Sequence, residues 1–185
     1  MIIAVAGRRV DAPGATVRRF PAANVPTVRT RLKALFAERH ARVVVASAAC
    51  GADLLALDVA GELGLRRRII LPFPRDTFRA ASVVDRPGDW GTLFDRICAE
   101  VQAHGDLVIL PPPASESAGF IGASRAVVDE ALALAAADGT SLPGGDAVLA
   151  VVVWDGAPRG PDDFTVPFLE TAQERHVPIE TVLTV

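Results

Sequence analysis

Short, continuously apolar segments alternate along the chain with longer segments in which apolar residues recur every three or four positions. The short segments are rich in valine and isoleucine and predict β-strands. They cover residues 2–6, 42–46, 68–71, 107–110, 147–153 and 179–184. Because most of them lack a regular alternation of apolar and polar residues, they are typical of strands that helices cover on both faces of a parallel sheet.

The longer segments have the periodicity of amphipathic helices. Residues 28–36 and 54–59 each place apolar side chains at helical spacing, and Gly64 is expected to end the second helix as a C-cap. Further helices are predicted over residues 89–103, 124–137 and 165–175. This alternation predicts one α/β domain over residues 1–185, a three-layer Rossmann-like domain with a mainly parallel central sheet.

Two long connections, residues 10–25 and 72–90, follow predicted strands. Open α/β sheets bind their ligands at the carboxyl ends of the strands, where loops and helix N-termini meet. A binding site is therefore expected at the strand ends.

The composition limits the classes of function. Half of the 185 residues are hydrophobic and the net charge is -3, so no positive field favours binding to nucleic acid. Cys50 and Cys98 are the only cysteines, and neither belongs to a metal-binding pattern. No metal ion and no cofactor are predicted.

The first residues, MIIAVAGRR, place their charges after the apolar run, which is the reverse of a secretory signal. No apolar stretch reaches the length of a membrane span. The chain is therefore expected to be cytoplasmic and not to bind a membrane. The alanine-rich residues 131–137 would permit close packing between helices, so the sequence is compatible with a homodimer.

Gly7 and Arg8 follow the first predicted strand. Gly7 permits a tight turn or the close approach of a ligand to the backbone, and Arg8 could hold a phosphate by bidentate hydrogen bonds. The alternative is a turn followed by solvated arginines, and this alternative suits Arg9 better than Arg8.

The second strand leads into small residues and a helix that carries an aspartate in its first turn. Gly51 and Ala52 lie where free backbone N–H groups attract anions, and Gly51 would let a ligand approach the backbone. Asp53 could complement the helix dipole, or it could accept hydrogen bonds from ribose hydroxyls and base amines. Ser47 could bind a ligand or hydrogen-bond to the backbone. Spacing alone slightly favours the structural interpretation of Asp53, and Ser47 is ambiguous in a similar way.

A third candidate group follows the fifth predicted strand. Asp155, Gly156 and Arg159 lie in a loop that ends at Thr165, the predicted N-cap of the last helix. In the functional interpretation, Arg159 binds a phosphate and Asp155 binds a polar edge of the ligand. In the other interpretation, the segment is an ordinary surface loop.

Further candidates lie in the connections. Arg79 and Ser82 belong to a segment that could fold over the cleft, and a solvated helix face is the alternative. Phe20 and Phe120 could stack on a base, although packing of Phe20 on the body of the domain is favoured. Cys50 is expected to be a small packed residue and not an activated thiolate.

Several of these residues together resemble the nucleotide-sensing branch of the SLOG superfamily, which also groups DprA-like proteins and LOG enzymes. The resemblance is carried by SAACGADLL at residues 47–55, LPF at 71–73, Phe78, Ser82, Val83, Trp90, VWDG at 153–156 and Thr165. It covers most of the chain and implies a Rossmann-like fold with a nucleotide-derived ligand over the strand ends. It also favours the functional interpretation of Ser47 and Asp53.

LOG enzymes carry a Pro-Gly-Gly-x-Gly-Thr-x-x-Glu motif that holds phosphate and serves the cleavage of an N-glycosidic bond. The residues from Asp155 to Thr165 match this motif loosely, and the next glutamate, Glu170, lies deeper in the helix. The PGG at residues 143–145 precedes a strand and predicts a turn. The LOG reaction is therefore not carried over.

The sequence thus predicts a sensor domain that binds a nucleotide or nucleotide-derived small molecule and signals to an effector protein. The alternative is a hydrolase that cleaves the N-glycosidic bond of a nucleotide, with Asp53 as its catalytic carboxylate. A second alternative, DprA-like binding of single-stranded DNA, is disfavoured by the net charge and by the lack of a basic stripe with aromatic residues.

Overall fold

The computed structural model describes residues 1–139, 147–160 and 163–185. Within these residues, the strands are β1 (Ile2–Gly7), β2 (Val43–Ala46), β3 (Arg66–Leu71), β4 (Leu107–Ile109), β5 (Val148–Trp154) and β6 (Ile179–Leu183). The helices are α1 (Val25–Glu38), α2 (Ala52–Glu62), α3 (Arg75–Ser82), α4 (Trp90–Ala103), α5 (Glu116–Ala137) and α6 (Thr165–Glu174). A short 3-10 turn at Ala22–Asn24 precedes α1.

The six described strands form one parallel sheet in the order β4-β3-β2-β1-β5-β6. Helices α1, α2 and α4 pack together on one face of the sheet, and α5 and α6 pack on the other. This architecture confirms the predicted α/β fold class, a three-layer Rossmann-like domain with a parallel central sheet.

The direction in which strands are added changes at β1. The chain builds outward from β1 through β2, β3 and β4, and then crosses to the other side of β1 to add β5 and β6. The connections that leave β1 and β5 therefore diverge to opposite faces and open a crevice at the carboxyl ends of these two strands. Open α/β sheets bind ligands at such a reversal of strand order.

Alternating side chains of the buried strands build two apolar cores. Ile3 and Val5 of β1 pack with α1, α2 and α4, whereas Ile2 and Ala4 pack with α5 and α6. All four side chains are fully buried. Burying a valine or isoleucine side chain stabilises a fold by about 1.5–3 kcal/mol. Because both faces of β1 are covered in this way, its apolar run is continuous.

Part of the connection predicted over residues 72–90 forms the helix α3, which the sequence analysis gives only as an alternative for Arg79 and Ser82. Phe78 of α3 stacks on Phe94 of α4, with 6.2 Å between the ring centroids. Arg79 donates to both carboxylate oxygens of Asp95 at 3.1 Å. A helix of eight residues is too short to be stable alone. Contacts with α4 therefore stabilise α3, and apolar periodicity does not reveal them.

Helix α5 begins at Glu116, well before the predicted start at residue 124. The Oγ of Ser115 caps the helix by accepting a hydrogen bond from the N–H of Ala118 at 3.2 Å. Gly119 disfavours a helix by propensity, but a Cβ at this position would lie 2.6 Å from the ring of Phe73. Close packing therefore explains a glycine inside the first turns of α5.

Strand β3 begins at Arg66, before the predicted start at residue 68. The guanidinium groups of Arg66 and Arg68 both donate to Asp106, at 2.7 Å and 3.0 Å. These ion pairs allow the strand to begin in a charged segment. A prediction based on hydrophobicity alone does not assign this segment to the strand.

Three further expectations concern regions away from the strand ends. The turn predicted at residues 143–145 lies outside the described residues. Ala131 and Ala135 are buried against the sheet, so part of the alanine-rich face of α5 packs within the chain. No helix in the described ranges is both long and apolar enough to cross a membrane.

Candidate functional site

A cavity of about 250 Å³ opens at the carboxyl ends of the strands, in the crevice beside β1. Its walls come from the end of β1, the β2–α2 connection, α3, the first half of α5 and the loop before α6. The polar and charged lining residues are Arg8, Arg9, Ser47, Asp53, Ser82, Glu116, Ser124, Arg159, Asp163 and Thr165. The other lining residues are Val5, Ala6, Gly7, Ala49, Phe78, Ala81, Phe120, Ala123, Val127 and Phe164.

Asp53 contributes a buried carboxylate to this cavity from the first turn of α2. It is 7% exposed, and its Oδ2 accepts a hydrogen bond from the backbone N–H of Ala49 at 3.2 Å. No described arginine or lysine forms an ion pair with it. Burial raises the pKa of Asp53 to about 7, although the Ala49 N–H and the charge of Arg9 oppose the rise. Such a carboxylate at a cavity is characteristic of functional sites.

Arg8 is 5% exposed and already holds several partners. Its Nε donates to Asp155 at 2.8 Å, its Nη1 donates to Asp163 at 2.7 Å, and its Nη2 donates to the carbonyl oxygen of Ala157. The guanidinium also lies 5.7 Å from the centroid of the Trp154 ring. Because two carboxylates already balance its charge, Arg8 primarily positions the loop after β5.

Asp163, which the sequence analysis does not select as a site residue, organises the start of α6. It is 3% exposed, and its Oδ2 accepts hydrogen bonds from Nη1 of Arg8 at 2.7 Å and from the backbone N–H of Arg159 at 2.6 Å. Its Oδ1 accepts a hydrogen bond from the N–H of Thr165 at 3.0 Å. Burial by itself raises the pKa of Asp163, but these hydrogen bonds outweigh it and hold the pKa below its usual value.

The prediction that Thr165 is the N-cap of the last helix is wrong. Phe164 occupies the N-cap position and α6 begins at Thr165. The carboxylate of Asp163 satisfies the N–H of Thr165, which an N-cap side chain would not reach. The sequence signal was an aspartate two residues before the first residue of the helix, since acidic side chains favour the positive end of a helix.

Two further arginines line the cavity. The Nη1 of Arg9 donates to both carboxylate oxygens of Asp85, at 2.9 and 2.8 Å. Burial and the charges of neighbouring arginines lower the pKa of Arg159, and the charge of Asp163 opposes this effect. The charged lining residues comprise three arginines and three acidic residues, so their formal charges cancel.

An aromatic cluster forms another wall of the cavity. The Phe120 ring stacks on that of Phe164 at 4.9 Å and lies 6.4 Å from that of Phe78. Phe120 lines the cavity, where it was considered as a stacking partner for a base. Phe20, by contrast, is fully buried in the core, and its N–H donates to Asp11 at 3.0 Å. The favoured interpretation of Phe20 as a packing residue is confirmed.

Of the twelve predicted ligand-binding residues, seven line the cavity and five do not. The seven are Gly7, Arg8, Ser47, Asp53, Ser82, Arg159 and Thr165. The five are Gly51, Ala52, Arg79, Asp155 and Gly156. The structure thus brings residues of all three predicted strand ends together, and it adds Arg9, Asp163, Phe164 and the start of α5.

Gly51 and Ala52 hold the start of α2 in contact with the backbone that follows β1. Gly51 has a φ of 101°, and a Cβ at this position would lie 2.6 Å from the carbonyl oxygen of Arg8. The N–H of Ala52 donates to the same carbonyl at 3.0 Å. The close approach for which Gly51 is required is therefore made by the protein's own backbone, where the sequence analysis expected a ligand.

The other three residues outside the cavity have structural partners or lie in the loop. Arg79 pairs with Asp95 of α4. Asp155 bridges Arg8 and Arg19 and so joins the loop after β5 to the first long connection. Gly156 is exposed in the same loop and has a φ of 89°.

Neither cysteines nor histidines provide a nucleophile at the cavity. Cys50 is fully buried, and burial raises its pKa to about 12, so it is a packed thiol as expected. His40, His104 and His176 follow the C-terminal ends of α1, α4 and α6. These positions lie near the amino ends of the strands, away from the cavity, because the helices run antiparallel to the strands.

Within the described ranges, no three His, Cys, Asp or Glu residues are arranged to hold a metal ion. No protein-family model matches the sequence, and no curated protein matches it. The resemblance to the SLOG superfamily therefore stays a prediction. The function has to be inferred from the cavity itself, and above all from its buried carboxylate, Asp53.

Proposed function

We propose that this cavity binds a nucleotide or nucleotide-derived small molecule and that the protein is a sensor that signals to an effector protein. The observation that carries the proposal is Asp53, a cavity-lining carboxylate that is 7% exposed and whose described hydrogen bond comes from one backbone N–H. A buried carboxylate destabilises the fold unless donors compensate it. Ribose hydroxyls or base amines would supply such donors.

The apolar wall of the cavity supports the same class of ligand. Phe78, Phe120 and Phe164 line the cavity together with Val127. Flat apolar surfaces of this kind suit the ring of a nucleobase, since aromatic side chains stack on it with offset or edge contacts. An apolar wall with a few polar groups is the usual composition of a small-molecule site.

A ligand in the cavity could contact both α3 and the start of α6, and the proposed sensing depends on these contacts. Phe78, Ala81 and Ser82 of α3 line the cavity on one side, and Asp163 and Thr165 line it at the start of α6. A ligand that contacts both would stabilise the short helix α3 in its present position. Such a ligand can favour one conformation only through its different affinity for two states. An effector protein whose binding depends on the position of α3 would respond to the ligand.

Equilibrium dialysis of the protein against nucleosides, nucleotides, cyclic nucleotides, dinucleotides and NAD-derived species, followed by mass spectrometry, tests the proposal. We expect one class to be retained intact. Asp53→Asn removes the acceptor charge at nearly constant volume and should weaken the binding of that species by at least about tenfold. Undiminished affinity in this variant would remove Asp53 from the site.

Asp58→Asn is the matched control, because Asp58 lies on the same helix but pairs with Arg29 and Arg96 outside the cavity. Its ligand affinity should equal that of the wild type. An equal loss in both variants would assign the effect to the stability of α2 and would contradict the site.

A second candidate function is hydrolysis of an N-glycosidic bond, and the pKa of Asp53 of about 7 supports it. A general acid or base acts best when its pKa is near the working pH. Appearance of a free base in the dialysis samples, abolished in Asp53→Asn, would establish the hydrolase. Intact ligand after prolonged incubation would favour the sensor.

A further inference from the structure

The start of α6 contains an anion position that the protein fills with its own carboxylate. The donors that converge there on Asp163 are Nη1 of Arg8 at 2.7 Å, the N–H of Arg159 at 2.6 Å and the N–H of Thr165 at 3.0 Å. The two N–H groups belong to the loop before α6 and to its first residue, where the helix dipole is positive. Phosphate groups are commonly bound by this combination of helix N-terminus, loop N–H groups and arginine.

The cavity beside this position already contains acidic groups. Asp163 lines it and is 3% exposed, and Asp53 lines it and is 7% exposed. The nearby positive charges of Arg8 and Arg9 are paired with Asp155, Asp163 and Asp85, and the third arginine of the lining, Arg159, lies within the electrostatic influence of Asp163. A phosphate entering the cavity would therefore approach two buried carboxylates and would have to compete for arginines that have partners.

The volume of the cavity also favours a small ligand over one with several phosphate groups. About 250 Å³ is slightly below the range of about 300–1,000 Å³ that is usual for sites of drug-sized ligands. A cavity of this size suits a single base with its sugar better than a dinucleotide or a triphosphate.

We propose that Asp163 occupies the position of a ligand phosphate, so that the cavity selects an uncharged nucleoside over its phosphorylated forms. Asp163 is then the residue that determines specificity, and Asp53 binds the hydroxyl or amine donors of the ligand. The choice of a nucleoside rests on the function proposed above, whereas the filled anion position does not.

The first experiment probes the anion position with inorganic phosphate alone. Asp163→Ala leaves Arg8 and the two N–H groups without their acceptor, so phosphate should replace the lost carboxylate. Because phosphate stabilises folded proteins in general, the readout is the difference between the variant and the wild type. We expect phosphate to raise the Tm of Asp163→Ala at least about 2 °C more than that of the wild type, each relative to sodium chloride of equal ionic strength. A folded variant whose Tm responds no more than that of the wild type would overturn the proposal.

Asp155→Asn is the matched control for this experiment. It removes a carboxylate from the same arginine, but Asp155 accepts none of the N–H groups at the start of α6. Its Tm should therefore not respond specifically to phosphate. An equal response in Asp155→Asn would show general attraction of anions to Arg8 and would contradict a defined anion position.

The second experiment uses the wild-type protein and stays decisive if Asp163→Ala does not fold. Calorimetric titration with the common nucleosides and their 5′-monophosphates should show at least about tenfold tighter binding of one nucleoside than of its monophosphate, because like charges repel strongly at a buried site. Equal or tighter binding of the monophosphate would overturn the proposed selectivity.

The two experiments separate the proposals. If the wild type binds neither nucleosides nor nucleotides, the proposed function fails. A phosphate response confined to Asp163→Ala would still support the filled anion position, because that test uses no nucleoside.

Discussion

Asp53 couples the protonation of the cavity to the stability of the fold. Burial raises its pKa from 3.8 to about 7, so the folded protein keeps a proton that the unfolded chain releases over this range. The contribution of Asp53 to the free energy of unfolding is therefore greatest below pH 3.8 and falls as the pH rises to about 7. Above this pH the contribution is level.

We expect Asp53→Asn to remove this pH dependence. The variant should gain stability relative to the wild type by up to about 1.4 kcal/mol for each pH unit within that interval, because its amide has no proton to lose. Urea unfolding of both proteins at about pH 5 and about pH 8 measures the difference. If the two proteins showed the same pH dependence, the buried carboxylate would titrate normally.

The site residues differ in how far the sequence could identify them. Asp53 was identifiable as a candidate because it lies in the first turn of a helix that follows a buried strand, where open α/β sheets bind their ligands. Asp163 has only the weak local signal of an acidic residue shortly before a helix, because its pairing with Arg8, which is far away in the sequence, depends on the order of the strands. No local pattern contains that contact.

At the level of elements, the start of α2 depends on the contact between Gly51 and the end of β1. A side chain at Gly51 would be disfavoured by the φ of 101° and would also meet the carbonyl oxygen of Arg8 at 2.6 Å. We expect Gly51→Ala to lower the free energy of unfolding by at least about 2 kcal/mol. Thermal and urea unfolding would measure this loss.

Gly64, beyond the other end of α2, is a matched control. It has a φ of 68°, but a Cβ there would meet nothing within 4 Å. Gly64→Ala should therefore cost only about 1 kcal/mol, the cost of the left-handed conformation itself. Equal losses in both variants would mean that the contact of Gly51 with the Arg8 carbonyl is unimportant.

Elements with strong internal patterns were predictable and those held by tertiary contacts were not. The central strands were evident because both of their faces are buried and the apolar runs are continuous. Helix α3 was only an open alternative because the packing of Phe78 on Phe94 and the pairing of Arg79 with Asp95 stabilise it from outside. The first turns of α5 were missed for a similar reason, since Gly119 is explained by the nearby side chains of Phe73 and Pro113.

At the level of the whole molecule, Arg8 joins segments that are distant in the sequence. It leaves β1, binds Asp155 and Asp163 in the loop between β5 and α6, and is linked through Asp155 to Arg19 in the first long connection. Arg8→Ala would leave two carboxylates that are 11% and 1% exposed without their main cation. We expect a loss of roughly 3 kcal/mol in the free energy of unfolding, as is usual when one partner of a buried ion pair is removed.

Urea unfolding of Arg8→Ala measures this loss, and Arg42→Ala provides the comparison. Arg42 pairs with Asp138 at 3.5 Å, and both side chains are more than one third exposed. A surface pair of this kind contributes little, so Arg42→Ala should stay within about 1 kcal/mol of the wild type. Similar losses in both variants would indicate that the network around Arg8 does not join the loops.

The residues that line the cavity come from five separate parts of the chain, from Val5 in β1 to Thr165 at the start of α6. An N-terminal fragment that ends before β5 therefore contains no complete site, and a growing chain becomes competent to bind only after β5 and the start of α6 have been synthesised. A ligand cannot act as a template for early folding of such a protein. It acts instead on the folded chain, whose unfolding it opposes.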